Sequence, residues 1–285
     1  MILRIAFIVF LLSFFSQIQA QQKPAYILYD KKGKKVAYKK MMRNLSAKDI
    51  VLFGEFHNNP ISHWLQLEVT RDIHQARDMI LAFEMLEQDN QAAVDLYVQK
   101  KITQKGFDST ARLWNNHKTD YAPLVNYARD NNLAVVASNI PRRYASMVFK
   151  GGLQVLDTLP ATEKAWIAPL PIAYDGELPG YKKMKEMMEG HAGDNLSKAQ
   201  AIKDATMAHF SLKAYQTGKL LLHFNGAYHS DNYEGILWYM RKQAPQLKYA
   251  TITTVSQKDI HKLEKENIGK ADYIICVDDD MTTTY

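Results

Sequence analysis

The chain is poor in the features that would place it in several common classes. It has one cysteine in 285 residues, Cys276, which excludes an intramolecular disulfide and any cysteine-stapled scaffold. Glycine and proline number 13 and 9, too few for a low-complexity or collagen-like chain. No run after residue 20 is long and apolar enough to span a bilayer. Charge of one sign is not in excess: 36 Lys and Arg against 30 Asp and Glu leave +6. These charges read as spread along the chain, so nucleic acid is not the expected partner. Hydrophobic residues make up 47% and aromatics 11%, which excludes a disordered chain.

What is present begins at the N-terminus. Fifteen of the first 20 residues are apolar, Arg4 supplies a positive start, and residues 16–20 (SQIQA) have the composition of a cleavage region. This pattern is that of a secretory signal peptide, too short for an ordinary membrane span. Gln21 and Gln22 stand where a lipoprotein would carry its lipid-accepting cysteine. The expectation is an exported protein, periplasmic or secreted, that is not a lipoprotein. Residues 21–285 then form a single domain.

Along that domain, strand-like and helix-like rhythms alternate. Residues 26–29 and 35–38 flank Asp30-Lys31-Lys32-Gly33-Lys34 and predict an N-terminal β-hairpin with glycine in its turn. Residues 50–53 are a continuous apolar run, the mark of a strand buried on both faces, and 79–83, 133–137, 219–224, 249–255 and 273–277 also read as strands. Helical patterns fill the intervals at 61–76, 88–99, 124–131, 141–149, 196–215 and 233–243. The first of these has Asn58 or Asn59 as its cap and Pro60 in its first turn. The expected fold is α/β, a mostly parallel sheet flanked by helices. Residues 150–215 read as a mainly helical insertion or lid.

Open parallel sheets bind ligands beyond the carboxyl ends of their strands, so the residues after each apolar run are the place to look. Glu55 and His57 follow the first run, two apart and therefore on one side of an extended chain. Glu84 follows the second, and Ser138, Asn139, Arg142 and Arg143 follow the third. Asn225, Gly226, Tyr228 and His229 follow the fourth. Gly54 to His57 and Gly226 to His229 repeat one spacing. Two histidines and two carboxylates at one crest suit either metal-assisted hydrolysis, with His57, His229 and Glu55 as ligands, or acid–base work without metal. In the plainest alternative these side chains are solvated strand ends.

Taken together, these segments resemble a known family. Residues 51–60 (VLFGEFHNNP) are similar to the opening motif of the ChaN-like haem-binding proteins, within the Tiki/TraB/erythromycin-esterase superfamily. Phe83-Glu84-Met85, Asn139-Ile140-Pro141-Arg142, His191-Ala192-Gly193 with residues 199–208, and Gly226-Ala227-Tyr228-His229 follow in the family's order. The resemblance spans roughly residues 45–255. It implies an exported haem-binding protein in an iron-uptake or storage setting. Its implied partners are haem, a second copy of the chain and an outer-membrane haem receptor. Other branches of the superfamily use such segments for metal-dependent hydrolysis, which keeps a hydrolase using Glu55, His57, Glu84 and His229 as the alternative.

A haem site needs an axial ligand, an apolar slot and polar or cationic groups for the propionates. Tyr174, Tyr181 and His191 are the candidate ligands implied by that requirement. Met184, Met187 and Met188 share one helical stripe and offer an adaptable wall. Lys182, Lys183, Arg142 and Arg143 are candidates for the propionates. The two arginines open a helix, where positive charge opposes the dipole, so at least one is expected to have an anionic partner. Cys276 lies late in an apolar strand and reads as core.

Overall fold

The structure is a computed structural model and describes residues 23–187 and 194–285. The expected signal peptide, Met188 and His191 lie outside the described residues. Seven strands form one sheet in the order β1-β7-β6-β2-β5-β3-β4. These are β1 (Tyr26–Asp30), β2 (Ile50–Glu55), β3 (Met79–Glu87), β4 (Ala134–Asn139), β5 (Leu220–Gly226), β6 (Tyr249–Gln257) and β7 (Tyr273–Asp278). All pairings are parallel except β1 with β7. The α/β reading of the sequence is therefore correct, and every apolar run it marks is a strand. The predicted hairpin is reduced. Its turn exists, but the return arm is a single bridge from Tyr29 to Lys35, and β1 finds its ladder on β7 instead. Residues after 37 turn helical because Met41, Met42 and Leu45 recur at helical spacing and sink into the core.

Ten α-helices are described: α1 (Tyr38–Leu45), α2 (Pro60–Ala76), α3 (Gln91–Val98), α4 (Gln104–Thr110), α5 (Ala122–Asp130), α6 (Arg142–Gly151), α7 (Ala161–Lys164), α8 (Pro179–Met187), α9 (Asn195–Ala214) and α10 (Ile236–Gln243). Helices cover both faces of the sheet. Val51, Phe53, Leu81, Phe83, Leu222 and Phe224 point to one face, under α1 to α5. Ile50, Leu52, Ile80, Ala82 and Leu221 point to the other, under α6, α9 and α10. Strands buried on both sides need no polar alternation, which is why they read as unbroken apolar runs. Cys276 is fully buried in a third, smaller cluster at the antiparallel edge, as the sequence implies. Burial pushes its thiol up to about 12, so it is a packing group rather than a reactive one.

The 150–215 segment divides in two. The part before residue 188 buries Leu156, Leu159, Ile167 and Ala168 among α6, α9 and α10, while α9 is a core layer with Ala201, Ile202, Ala205, Met207 and Ala208 buried. Among the described residues, no helix is long and apolar enough to cross a membrane.

Candidate functional site

The strand order brings together segments that are far apart in sequence. β5 inserts between β2 and β3, so the segments after β2, β3 and β5 meet at one crest. The pairing register sets Gly54 beside Asn225 and Glu55 beside Gly226. At that point the two Gly-x-x-His segments pack against each other. A Cβ on Gly54 would lie 2.9 Å from Ala227 Cα, the backbone of the second segment. A Cβ on Gly226 would lie 2.8 Å from His57 Nε2, the ring of the first. Each glycine thus clears room for the other motif. At Gly54 the obstruction is backbone, so Gly54→Ala is expected to destabilise by about 1–3 kcal/mol. A denaturant midpoint equal to the wild type would show that the turn is free to move.

Each histidine of the crest is held by carboxylates. His57 Nδ1 lies 2.9 Å from Glu55 Oε1. Glu55 is buried and also accepts from Tyr121 OH at 2.7 Å and from Gln66 Nε2. Gln66 comes from α2, whose start is fixed by Asn59 accepting from Ser62 N at 2.9 Å, with Pro60 in the first turn. Burial opposes the charged form of His57, but its bond to Glu55 and the charge of Glu84 prevail and raise its pKa. Trp114 meets the His57 ring edge-on at 5.0 Å between centroids.

His229 is buried between two carboxylates. Its Nε2 lies 3.2 Å from Glu84 Oε1, and its Nδ1 lies 2.5 Å from Asp204 Oδ1. The other Glu84 oxygen, Oε2, accepts from the backbone N–H of Gly226 at 2.6 Å. Burial would lower the pKa of His229, yet Glu84 and Asp204 hold it up at about 10. Burial likewise works against ionised Glu84, but the charge of His229 keeps it well below the usual carboxylate range. Asp204 remains above its ordinary range because burial outweighs the attraction of His229. Asp204 Oδ2 accepts from Tyr181 OH at 2.7 Å.

Above the crest lies a cavity of about 1080 Å³, at the upper end of the ~300–1,000 Å³ usual for small-molecule sites. Phe56, Trp114, Ile140, Met184 and Tyr228 supply apolar lining, and Arg142, Lys183, Lys203 and Lys270 supply cations. Glu55, His57, Glu84 and His229 lie on the lining, as the sequence pattern places them. Arg142 lines it without an ion pair among the described residues. Its neighbour Arg143 turns away and binds Asp89 Oδ2 at 2.7 Å. The expectation that one arginine has a carboxylate partner is therefore met by Arg143.

The structure does not bring the two tyrosine candidates to the cavity. Tyr181 is buried, with its hydroxyl on Asp204, and burial raises its pKa strongly. Tyr174 OH is paired with Ser197 Oγ at 2.6 Å. Both hydroxyls serve α9 instead. The tyrosines that do line the cavity are Tyr228 and Tyr285, neither of which the sequence marks as a ligand. Sequence reasoning misses the parts played by Asp204, Tyr121 and Gln66 as well. Only Asp204 carries a signal, as an acidic residue among the small residues of a buried helix face.

The divalent-metal reading of His57, His229 and Glu55 gains no support. Among the described residues, no group of three or more His, Cys, Asp or Glu side chains is arranged to hold a metal ion. These carboxylates and imidazoles pair with one another instead.

A cation-rimmed cavity at the carboxyl edge of a parallel sheet defines an α/β small-molecule-binding protein. The sequence matches the profile of the haem-binding uptake, Tiki superfamily, ChaN family over residues 41–240, and the chain belongs to that family. Its fold is shared by a solved structure titled for cofacial haem binding to ChaN of Campylobacter jejuni, at 17% identity and a TM-score of 0.66. That match covers 89% of this chain and 97% of the other. An erythromycin esterase mutant in its open conformation matches at 9% identity and a TM-score of 0.52, covering 89% of this chain and 97% of that one. A Bacillus cereus protein matches at 10% identity and a TM-score of 0.51, covering 88% and 94%. No curated protein matches the sequence.

Proposed function

We propose that this protein binds haem in the crest cavity, after export from the cytoplasm, as a step in taking up or storing haem iron. The observation that carries the reading is the cavity's two-sided chemistry. Apolar and aromatic side chains line it, four cations border it, and His57 lines it with an Nε2 that has no hydrogen-bond partner among the described residues. A histidine whose other ring nitrogen is held by a carboxylate is the usual arrangement of an iron-ligating imidazole. Haem would supply an iron with an axial position and two carboxylates. Phe56, Trp114, Ile140 and Met184 would pack on its faces, and Arg142 and Lys183 would hold its propionates. Export is supported by the composition of residues 1–20. A second copy covering the mouth belongs to the same reading, supported by the exposure of Phe56 and Tyr228 beside it.

Hemin added to the purified protein should bind stoichiometrically with a shifted Soret band. His57→Ala should change that band while leaving the protein folded. Sedimentation with and without hemin should show association on loading. Absence of saturable binding would overturn the haem reading. An unaltered band in His57→Ala would remove His57 as ligand.

A further inference from the structure

The other end of the sheet, where β2, β6 and β7 begin, carries a concentration of positive charge. Residues 31–48 contain Lys31, Lys32, Lys34, Lys35, Lys39, Lys40, Arg43 and Lys48 and no acidic residue. All but Lys48 are exposed, and none forms an ion pair among the described residues. The turn after β1, helix α1 and the start of β6 enclose a second cavity of about 510 Å³ beside these cations. Lys31, Lys32, Lys40, Lys48 and Lys248 line it. Three aspartates, Asp30, Asp49 and Asp272, stand among these cations and Lys248, and the face stays net positive with Glu68 and Asp72, which lie near Tyr38, counted in. The three aspartates are already committed as acceptors. Asp30 Oδ1 takes the backbone N–H groups of Lys32 and Lys34, Asp49 Oδ2 that of Lys248, and Asp272 Oδ2 that of Thr251.

We propose that this face docks the protein on an anionic phospholipid surface, with headgroup phosphate entering the second cavity. The cations are almost all lysine, compact point charges suited to Coulombic attraction rather than bidentate recognition. They span a turn and a helix, wider than one free phosphate needs. α1 buries Met41, Met42 and Leu45 in the core, so it presents charge without inserting apolar surface. Tyr38, the one aromatic residue among residues 31–48, packs partly buried against the core, which disfavours base stacking on a nucleic acid. Docking by the amino ends of the strands leaves the crest cavity at their carboxyl ends facing away from the bilayer. The proposal does not depend on what the crest cavity binds.

The test is flotation of the full chain with pure phosphatidylcholine vesicles and with mixed phosphatidylglycerol–phosphatidylcholine vesicles. The readout is the ratio of the two partition coefficients, which cancels any attraction of the apolar leader for lipid. The ratio should be large and fall steeply with salt. At about fivefold per lysine, the quadruple variant Lys31→Gln, Lys32→Gln, Lys39→Gln, Lys40→Gln should lower it by several hundredfold. Its circular dichroism and hemin titration should stay unchanged. A ratio near one, or a quadruple variant that keeps the wild-type ratio, would overturn the proposal. So would tighter binding of a short duplex DNA than of the mixed vesicles, or saturable binding of inorganic phosphate without vesicle binding.

Discussion

Replacing His229 with alanine is expected to destabilise the protein by about 3–5 kcal/mol, the usual cost of removing one member of a buried ion pair. His229 lies between two buried carboxylates, Glu84 and Asp204, and the variant would leave them facing each other with no cation between them. The pH dependence separates this from simple cavity formation. A histidine raised from an ordinary 6.5 to about 10 in the fold contributes stability that is complete below 6.5 and lost as pH rises through about 10. Glu84, depressed from 4.5, contributes above that value and loses its contribution only as pH falls toward its lowered value. The wild type should therefore weaken on the alkaline side. His229→Ala should lack that slope and weaken already from mildly acidic pH upward, as its orphaned carboxylates ionise. Guanidinium midpoints measured across pH, at unchanged m-value, read both effects. A loss below about 1 kcal/mol at neutral pH would mean that His229 is not charged in the fold.

The double variant Arg142→Glu, Lys183→Glu is expected to weaken hemin binding at least a hundredfold without lowering stability. A hydrogen bond to a charged group contributes about 1.5–3 kcal/mol, and this change removes two and adds repulsion. Both side chains are exposed, line the crest cavity and have no ion-pair partner among the described residues, so the fold loses little with them. Arg143→Glu is the internal control. It sets a carboxylate against Asp89 and breaks the contact with Tyr144, so it should destabilise the protein and leave hemin affinity within a few-fold. If the adjacent arginines exchanged these effects, the propionate assignment would be wrong.

The two predictions rest on different kinds of information. Glu55, His57, Glu84, Arg142 and His229 are legible in the sequence because each follows an apolar run that reads as a buried parallel strand, and such strands end at the ligand edge. Asp204, Tyr121 and Gln66 sit mid-helix or near a helix start, where sequence position says nothing about which strand end a side chain reaches. Tyr181 and Tyr174 show the converse. Tyrosine is a reasonable iron ligand by chemistry, but here both hydroxyls are used by Asp204 and Ser197 of α9. The basic face escapes sequence reading for a related reason. Its eight cations lie in one run, residues 31–48, which the balanced charge of the whole chain hides, and only the fold of β1, α1 and β6 brings Lys31, Lys32, Lys40 and Lys48 around one concavity with Lys248.

Local periodicity and ordered short motifs suffice for the α/β class, the strand segments, the buried cysteine and the family. Those features depend on residues close together in the chain. The position of β5 between β2 and β3 does not. That placement sets Gly54 against Ala227 and Gly226 against His57, and it gives Glu84 a backbone partner 142 residues away. Strand order is a property of long-range packing. No local pattern encodes it, and it is what sets His229 and His57 beside Glu84, whose charge raises the pKa of both.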